Sequence, residues 1–191
     1  TICCRGSTPH RTGGSRSSES RDREPRDPAA RHRGDVSFIA IDPGSDESAV
    51  VFMDSSGVVT SFQKKPNILM LETLANVRNP VASHLAIEMI ASYGMPVGKE
   101  IFETCVWIGR FVQAWGGPFT QVYRRDVKLH LCGQPRAKDA NIRAALIDKF
   151  GPGKGKAIGT KKSPGPLYGM TADCWAALGV AVTYRDSMEL K

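Results

Sequence analysis

Val36-Ser37-Phe38-Ile39-Ala40-Ile41-Asp42-Pro43-Gly44 decides the fold. An apolar, β-rich run ends in an aspartate, and Pro-Gly then stops the strand. Outward from it, residues 49–54 and 58–62 read as two more strands, and Ser55-Ser56-Gly57 makes the tight turn between them. Residues 67–77 read as a short helix and 84–90 as a buried strand. Residues 99–115 read as a helix with Ile101, Cys105, Ile108 and Val112 on its inner face. A fifth strand covers 120–123, a helix 137–150, a Gly/Pro/Lys-rich loop 151–168, and a last helix 171–184 with Cys174, Leu178, Ala181 and Val182 packed inward. Three strands by hairpin, then strands alternating with helices, predict an α/β layer fold: a mixed five-stranded sheet flanked by helices.

Residues 1–35 differ in kind. They hold eight arginines, no lysine, many Ser, Gly and Pro, and one large aliphatic residue, Ile2. Such a stretch cannot bury enough apolar surface to offset its chain entropy, so it reads as a disordered Arg/Ser-rich tail ahead of a folded domain at 36–191. The chain starts at Thr1 rather than Met, which reads as a fragment or an over-long gene start. No apolar run approaches the ~20 residues of a membrane span, and the N-terminus lacks the apolar core of a signal peptide. Five cysteines, Cys3, Cys4, Cys105, Cys132 and Cys174, form no C-x-x-C pair, which excludes a zinc ribbon and fits a reducing, cytoplasmic setting.

The formal charge of +7 points to an anionic partner. Between Val122 and Lys162 stand eleven basic and three acidic residues, so the positive charge is gathered in one segment. Arg124, Arg125, Lys128, Lys138 and Arg143 are its candidate phosphate contacts. The competing reading is a solvated lysine-rich loop, which fits residues 154–162 best.

Three acids carry the chemistry. Asp42 ends an apolar strand, Glu88 sits in the apolar run Leu85-Ala86-Ile87-Glu88-Met89-Ile90, and Asp173 lies in the first turn of the last helix. An unpaired buried carboxylate costs several kcal/mol, so each needs compensation. One such residue would be explained by a neighbouring Arg, Lys or helix N-terminus. Three at element ends point to a hard divalent cation held by oxygen ligands.

These residues also carry a family resemblance. Ile39-Ala40-Ile41-Asp42-Pro43-Gly44 resembles the opening motif of RuvC-like Holliday junction resolvases of the ribonuclease H superfamily, and Leu85-Ala86-Ile87-Glu88 resembles their second motif. Asp126-Val127-Lys128 followed by Ala137-Lys138 resembles their lysine-bearing segment. Asp173 with Ala177-Leu178-Gly179-Val180-Ala181-Val182-Thr183-Tyr184 resembles their last motif, and Leu167-Tyr168-Gly169 ahead of Asp173 is similar to phage members, which would place the protein in a bacterial host cell. One departure stands out: where the family carries a second acid three positions after Asp173, this chain has Ala176. Asp139 and Glu100 are candidate replacements.

The resemblance implies a ribonuclease H-like fold and a magnesium-dependent endonuclease that cleaves four-way junctions in branched DNA. Two Mg²⁺ ions (Mn²⁺ substituting) would be held by Asp42, Glu88 and Asp173, with Asp42 bridging them, and cleavage would leave 5′-phosphate and 3′-hydroxyl ends. Lys128 would neutralise charge at the scissile phosphate, and Tyr93 would stack on an unpaired base. A homodimer would match the two-fold symmetry of the junction, with Phe102, Val106, Phe111 and Trp115 as its apolar interface. Competing readings are a flap-type or ribonuclease H-type nuclease of the same fold, a non-catalytic DNA-binding module, and an actin-like ATPase or kinase fragment, which would need a second phosphate loop and a second domain.

Overall fold

In the computed structural model, residues 36–77, 83–92 and 94–189 are described. The tail at 1–35 and Tyr93 lie outside them. The elements follow in the order β1 (Val36–Asp42), β2 (Glu47–Asp54), β3 (Val59–Pro66), α1 (Asn67–Ala75), β4 (His84–Met89), α2 (Lys99–Trp115), β5 (Phe119–Tyr123), α3 (Arg124–Cys132), α4 (Asp139–Phe150), α5 (Lys154–Ala157) and α6 (Ala172–Glu189). The strands form one sheet in the order β3-β2-β1-β4-β5. The β1–β2–β3 meander is antiparallel, whereas β1–β4 and β4–β5 are parallel. Helical crossovers make those parallel pairs, as the strand-helix alternation of the sequence requires.

The central strands β1, β2 and β4 are buried on both faces, and their alternation decides what each face holds. Ile39 and Ile41 of β1, Val50 of β2, and Leu85 and Ile87 of β4 pack with Met70, Leu74, Ile108, Phe111 and Trp115 of α1 and α2. The alternate positions Ala40, Ala49 and Ala86 face α6, with α3 and α4 behind it. Small alanines on the sheet let α6 lie close. From Cys174 to Tyr184 every residue of α6 except Ala176 is buried, because the helix has the sheet on one side and two helices on the other. It is buried well beyond the inward stripe of Cys174, Leu178, Ala181 and Val182.

Three expectations need correction. Residues 124–132, to which the sequence reading gives no element, form a helix, so Lys128 lies on α3. Only Val127 of that helix is buried, and the rest is largely charged, so no apolar period announces it; Gly133, in the left-handed region, caps it by donating its N–H to the Leu129 carbonyl. The segment 151–168 is not loop throughout, since it contains α5. The buried stripe of α2 is Thr104, Ile108, Phe111 and Trp115, not Ile101, Cys105, Ile108 and Val112. The two stripes share one spacing, and the core takes the one with two large aromatics, which bury more apolar area. Phe111 and Trp115 therefore belong to the core of the chain itself and are removed from the dimer interface expected of them. Phe102 and Val106 do remain exposed. Among the described residues no helix is long and apolar enough to cross a membrane.

Away from the sheet, one carboxylate ties three helices together. Asp186 of α6 is 13% exposed and meets Lys149 Nζ of α4 at 2.6 Å, His130 Nε2 of α3 at 2.8 Å and its neighbour Arg185 Nη2 at 2.6 Å. Burial opposes its ionisation, but hydrogen bonds from Lys149, His130 and Arg185 outweigh that and bring its pKa from 3.8 to about 2. A depressed acid stabilises the fold above its unfolded pKa. That contribution is present above pH 3.8 and fades as pH falls through about 2. Asp186→Asn should lower stability at pH 7 by about 2 kcal/mol. The difference from wild type should vanish in melts run at the acid end of that window. Equal melting temperatures at pH 7 would remove the network from the account of stability.

Candidate active site

Register places the acids. Asp42 pairs with Ala49 on β2, and Ala49 with Lys64 on β3. On the other side Ile41 pairs with Ile87, so Asp42 and Glu88 come level as the next residues along two parallel strands. Glu88 in turn pairs with Val122 of β5. Directly paired residues share a face, so Lys64, Ala49, Asp42, Glu88 and Val122 form one row across the sheet, on the α6 side. Asp173, in the first turn of α6, stands above the row.

The turn after Asp42 is braced from below. Gly44 N–H donates to Ser48 Oγ at 3.2 Å, Ser48 Oγ–H donates to Asn67 Oδ1 at 2.6 Å, and Asn67 Nδ2 donates to the Gly44 carbonyl at 2.9 Å. Ser48 and Asn67 are buried, so the ring of bonds is shielded from water. A Cβ on Gly44 would come 2.4 Å from the Glu47 carbonyl oxygen, which leaves glycine as the residue that fits.

Each carboxylate has company. Arg124, at the start of α3, reaches back with Nη1 3.3 Å from Glu88 Oε2 and Nη2 2.8 Å from Asp139 Oδ1. Lys64 Nζ lies 2.9 Å from Asp173 Oδ2 and 3.2 Å from Glu47 Oε2. Asp173 is half-exposed, unlike Glu88, whose side chain is 13% exposed. The expectation of three buried acids thus holds in part for the mostly buried Asp42 and Glu88 and is corrected for Asp173. Burial, then the Glu88 charge, raises Asp42 from 3.8 to about 7, with Arg124 pulling the other way and Asp173 adding to the rise. Burial likewise raises Glu88, against the opposing pull of Arg124. Two adjacent buried acids that resist ionising together are poised for a cation.

Asp42, Glu88, Arg124, Asp139, Arg143, Asp173 and Ala176 line one cavity of about 230 Å³. Asp42 and Asp173 also line its neighbour, with Asp46, Glu47 and Lys64. Among the described residues no three carboxylate, imidazole or thiol groups converge closely enough to grip one ion as they stand. Arg124 and Lys64 draw Glu88 and Asp173 toward themselves. The donor set nevertheless fits a hard divalent cation in kind, being all oxygen with two members raised by mutual burial.

Of the other candidates, Arg143 lines the cavity with its guanidinium 4.8 Å from the centre of the Trp175 ring. Arg125 and Lys138 are exposed nearby in sequence, on α3 and at the start of α4. Arg124 is engaged with Glu88 and Asp139. Lys128, one turn further along α3, does not line the carboxylate cavities. Asp139 enters the cavity as a fourth acid, while Glu100 lies by a different one at the start of α2. Lys64 and Glu47 were not anticipated. Their only signal is the cross-strand register, which sequence alone does not fix.

No protein-family model and no curated protein matches the chain. Solved structures do. Thermus thermophilus RuvC is similar at 16% identity and a TM-score of 0.58, over 80% of this chain and 95% of that one. The fold is that of RuvC. A second RuvC structure, T. thermophilus RuvC in complex with Holliday junction substrate, matches at 14% identity and a TM-score of 0.55, over 80% of this chain and 94% of that one. Fowlpox virus resolvase, in a complex with Holliday junction DNA, matches at 9% identity and a TM-score of 0.44, over 79% and 97%. In this RuvC-like chain the site lies where β1 and β4, the parallel centre of the sheet, end beneath the start of α6.

Proposed function

We propose that this chain is a divalent-metal-dependent endonuclease acting on four-way DNA junctions. One observation carries the reading: Asp42 and Glu88 stand mostly buried and level on adjacent parallel strands of a RuvC-like fold, with Asp173 above them.

Asp42, Glu88 and Asp173 would hold the metal, with Asp139 as a further oxygen donor in place of the acid that Ala176 lacks. Bound divalent ions supply the positive charge that makes water a nucleophile near neutral pH and stabilises the leaving oxygen. The braced Pro43-Gly44 turn fixes the backbone that follows Asp42. Lys64 and Arg124 hold counter-charge beside Asp173 and Glu88, which keeps the acids apart when no metal is bound. Arg143 offers a cation in the cavity wall for the DNA phosphates, the exposed Lys138 precedes α4, and Arg125 and Lys128 lie on α3. A homodimer would bring two such sites to opposing strands of the junction, with the exposed Phe102 and Val106 of α2 available for its interface.

The test is cleavage of an end-labelled four-way junction by purified protein, with and without magnesium, beside a flap and an RNA–DNA hybrid. Junction cutting that needs the metal supports the reading. Preferential cutting of the flap or hybrid would assign the same site to a different substrate. Replacing Lys138 and Arg143 together with Ala should weaken binding on any DNA sequence and flatten the plot of log K against log salt by about 1.8, at ~0.9 per phosphate contact. An unchanged slope would mean both side chains face away from the DNA.

A further inference from the structure

Residues 149–172 contain five lysines and no acid. Composition alone makes such a stretch a solvated loop, but the structure builds it tightly. Thr160 and Ser163 exchange backbone hydrogen bonds of 2.9 and 3.1 Å, which leaves Lys161-Lys162 as a two-residue tip. Below the tip, Gly165 N–H donates to the Ile158 carbonyl at 2.8 Å and Leu167 N–H to that of Ala157 at 2.9 Å. Ala157 and Leu167 are fully buried and anchor the two legs in the core. Two glycines have no room for a side chain. A Cβ on Gly159, at φ +71°, would come 2.3 Å from the Ser163 carbonyl oxygen, and one on Gly165 would come 2.4 Å from that of Lys156.

This rigid frame holds up charge with no partner of its own. Lys154, Lys156, Lys161 and Lys162 are all exposed, and none forms an ion pair with an acid among the described residues. Four like charges on an ordered loop repel one another and add nothing to the core. Ordering them in advance lowers the entropy cost of meeting an extended polyanion. Distance selects the part of the polyanion. α4 starts at Asp139, beside the carboxylate cavity, and ends at Gly151, which packs against Lys156 and Ala157. Twelve helical residues span about 18 Å. At 3.4 Å of rise per phosphate along a strand, α4 itself is about five nucleotides long, and neither Lys161 nor Lys162 lines the carboxylate cavities.

We propose that the Lys161-Lys162 turn is a preformed clamp for the phosphates of a duplex DNA arm, outside the site of cleavage. It rests on the nuclease reading for its partner but involves none of the carboxylate residues. The test is binding in EDTA, measured by fluorescence anisotropy across a salt series. Junction and linear duplex are compared for wild type, Lys161→Ala/Lys162→Ala and the charge-keeping Lys161→Arg/Lys162→Arg. The alanine pair should bind both DNAs about tenfold more weakly at low salt, with a slope smaller by about 1.8, while the arginine pair keeps the wild-type slope. Neutral methylphosphonates walked along one junction arm should weaken wild type at a position away from the scissile phosphate and leave the alanine pair unaffected there. If wild type binds DNA and the alanine pair matches it in affinity and slope, the clamp is overturned and the nuclease reading stands. If wild type prefers no junction over duplex yet the alanine pair loses affinity for both, the clamp stands and the junction reading falls.

Discussion

Asp42→Asn should bind a four-way junction in EDTA about as well as wild type and cut it at least about a thousandfold more slowly in magnesium. Asparagine keeps the shape of the side chain at the end of β1 but removes the charge that the Asp42–Glu88 pair would present to a metal. The same substitution should stabilise the metal-free protein. Burial and the facing Glu88 hold the folded pKa of Asp42 at about 7, against 3.8 when free. A raised acid contributes stability that is present below pH 3.8 and lost as pH rises through about 7, since folding then confines a charge it disfavours. Asparagine has no such charge to lose. The variant should therefore melt about 5 °C higher than wild type at pH 8 and show no such advantage in acid. Quenched-flow cleavage and scanning calorimetry read the two halves separately. Near-normal turnover in saturating magnesium would sink the proposed site, and an unraised melting point at pH 8 would sink its electrostatics. Glu88→Gln and Asp173→Asn should also abolish cleavage, but half-exposed Asp173 should show little of the gain in stability.

Arg124→Gln should bind manganese about tenfold more tightly than wild type at a pH of about 9, where proton competition is small. The guanidinium lies 3.3 Å from Glu88, where its positive charge opposes an approaching dication. At an effective dielectric of 20, unit charges about 4 Å apart interact by about 4 kcal/mol, and a tenfold change needs only about 1.4. Even an arginine that swings largely aside to Asp139 leaves that much. Without metal the variant should melt about 5 °C lower, because buried Glu88 has lost its cation, and added manganese should recover the loss. Titration calorimetry gives the affinity directly. A dissociation constant equal to that of wild type would show that Arg124 leaves Glu88 at no cost and does not compete for the site.

Sequence by itself determined the elements that carry the acids. An apolar run ending in Asp42-Pro43-Gly44 can only be a strand entering a turn, and Leu85-Ala86-Ile87 can only be a buried one, so both acids were fixed at strand ends by local pattern. Asp173 followed from the long apolar helix behind it. Tertiary structure decided everything that depends on which strand lies beside which. Lys64 sits two strands away from Asp42, and a register slip of one residue would turn it to the opposite face, so no local signal places it at the site. Arg124 looks in sequence like one more cation in a basic segment, and only the helix beginning there aims it at Glu88 rather than at solvent. On α2 two apolar stripes of equal spacing compete, and packing against α1 and the sheet chooses the one with Phe111 and Trp115. Local pattern encodes periodicity and chain breaks, which are properties of neighbouring residues. Charge pairing and the choice among equivalent faces are settled by contacts between residues far apart in the chain, where burial makes each such contact worth several kcal/mol.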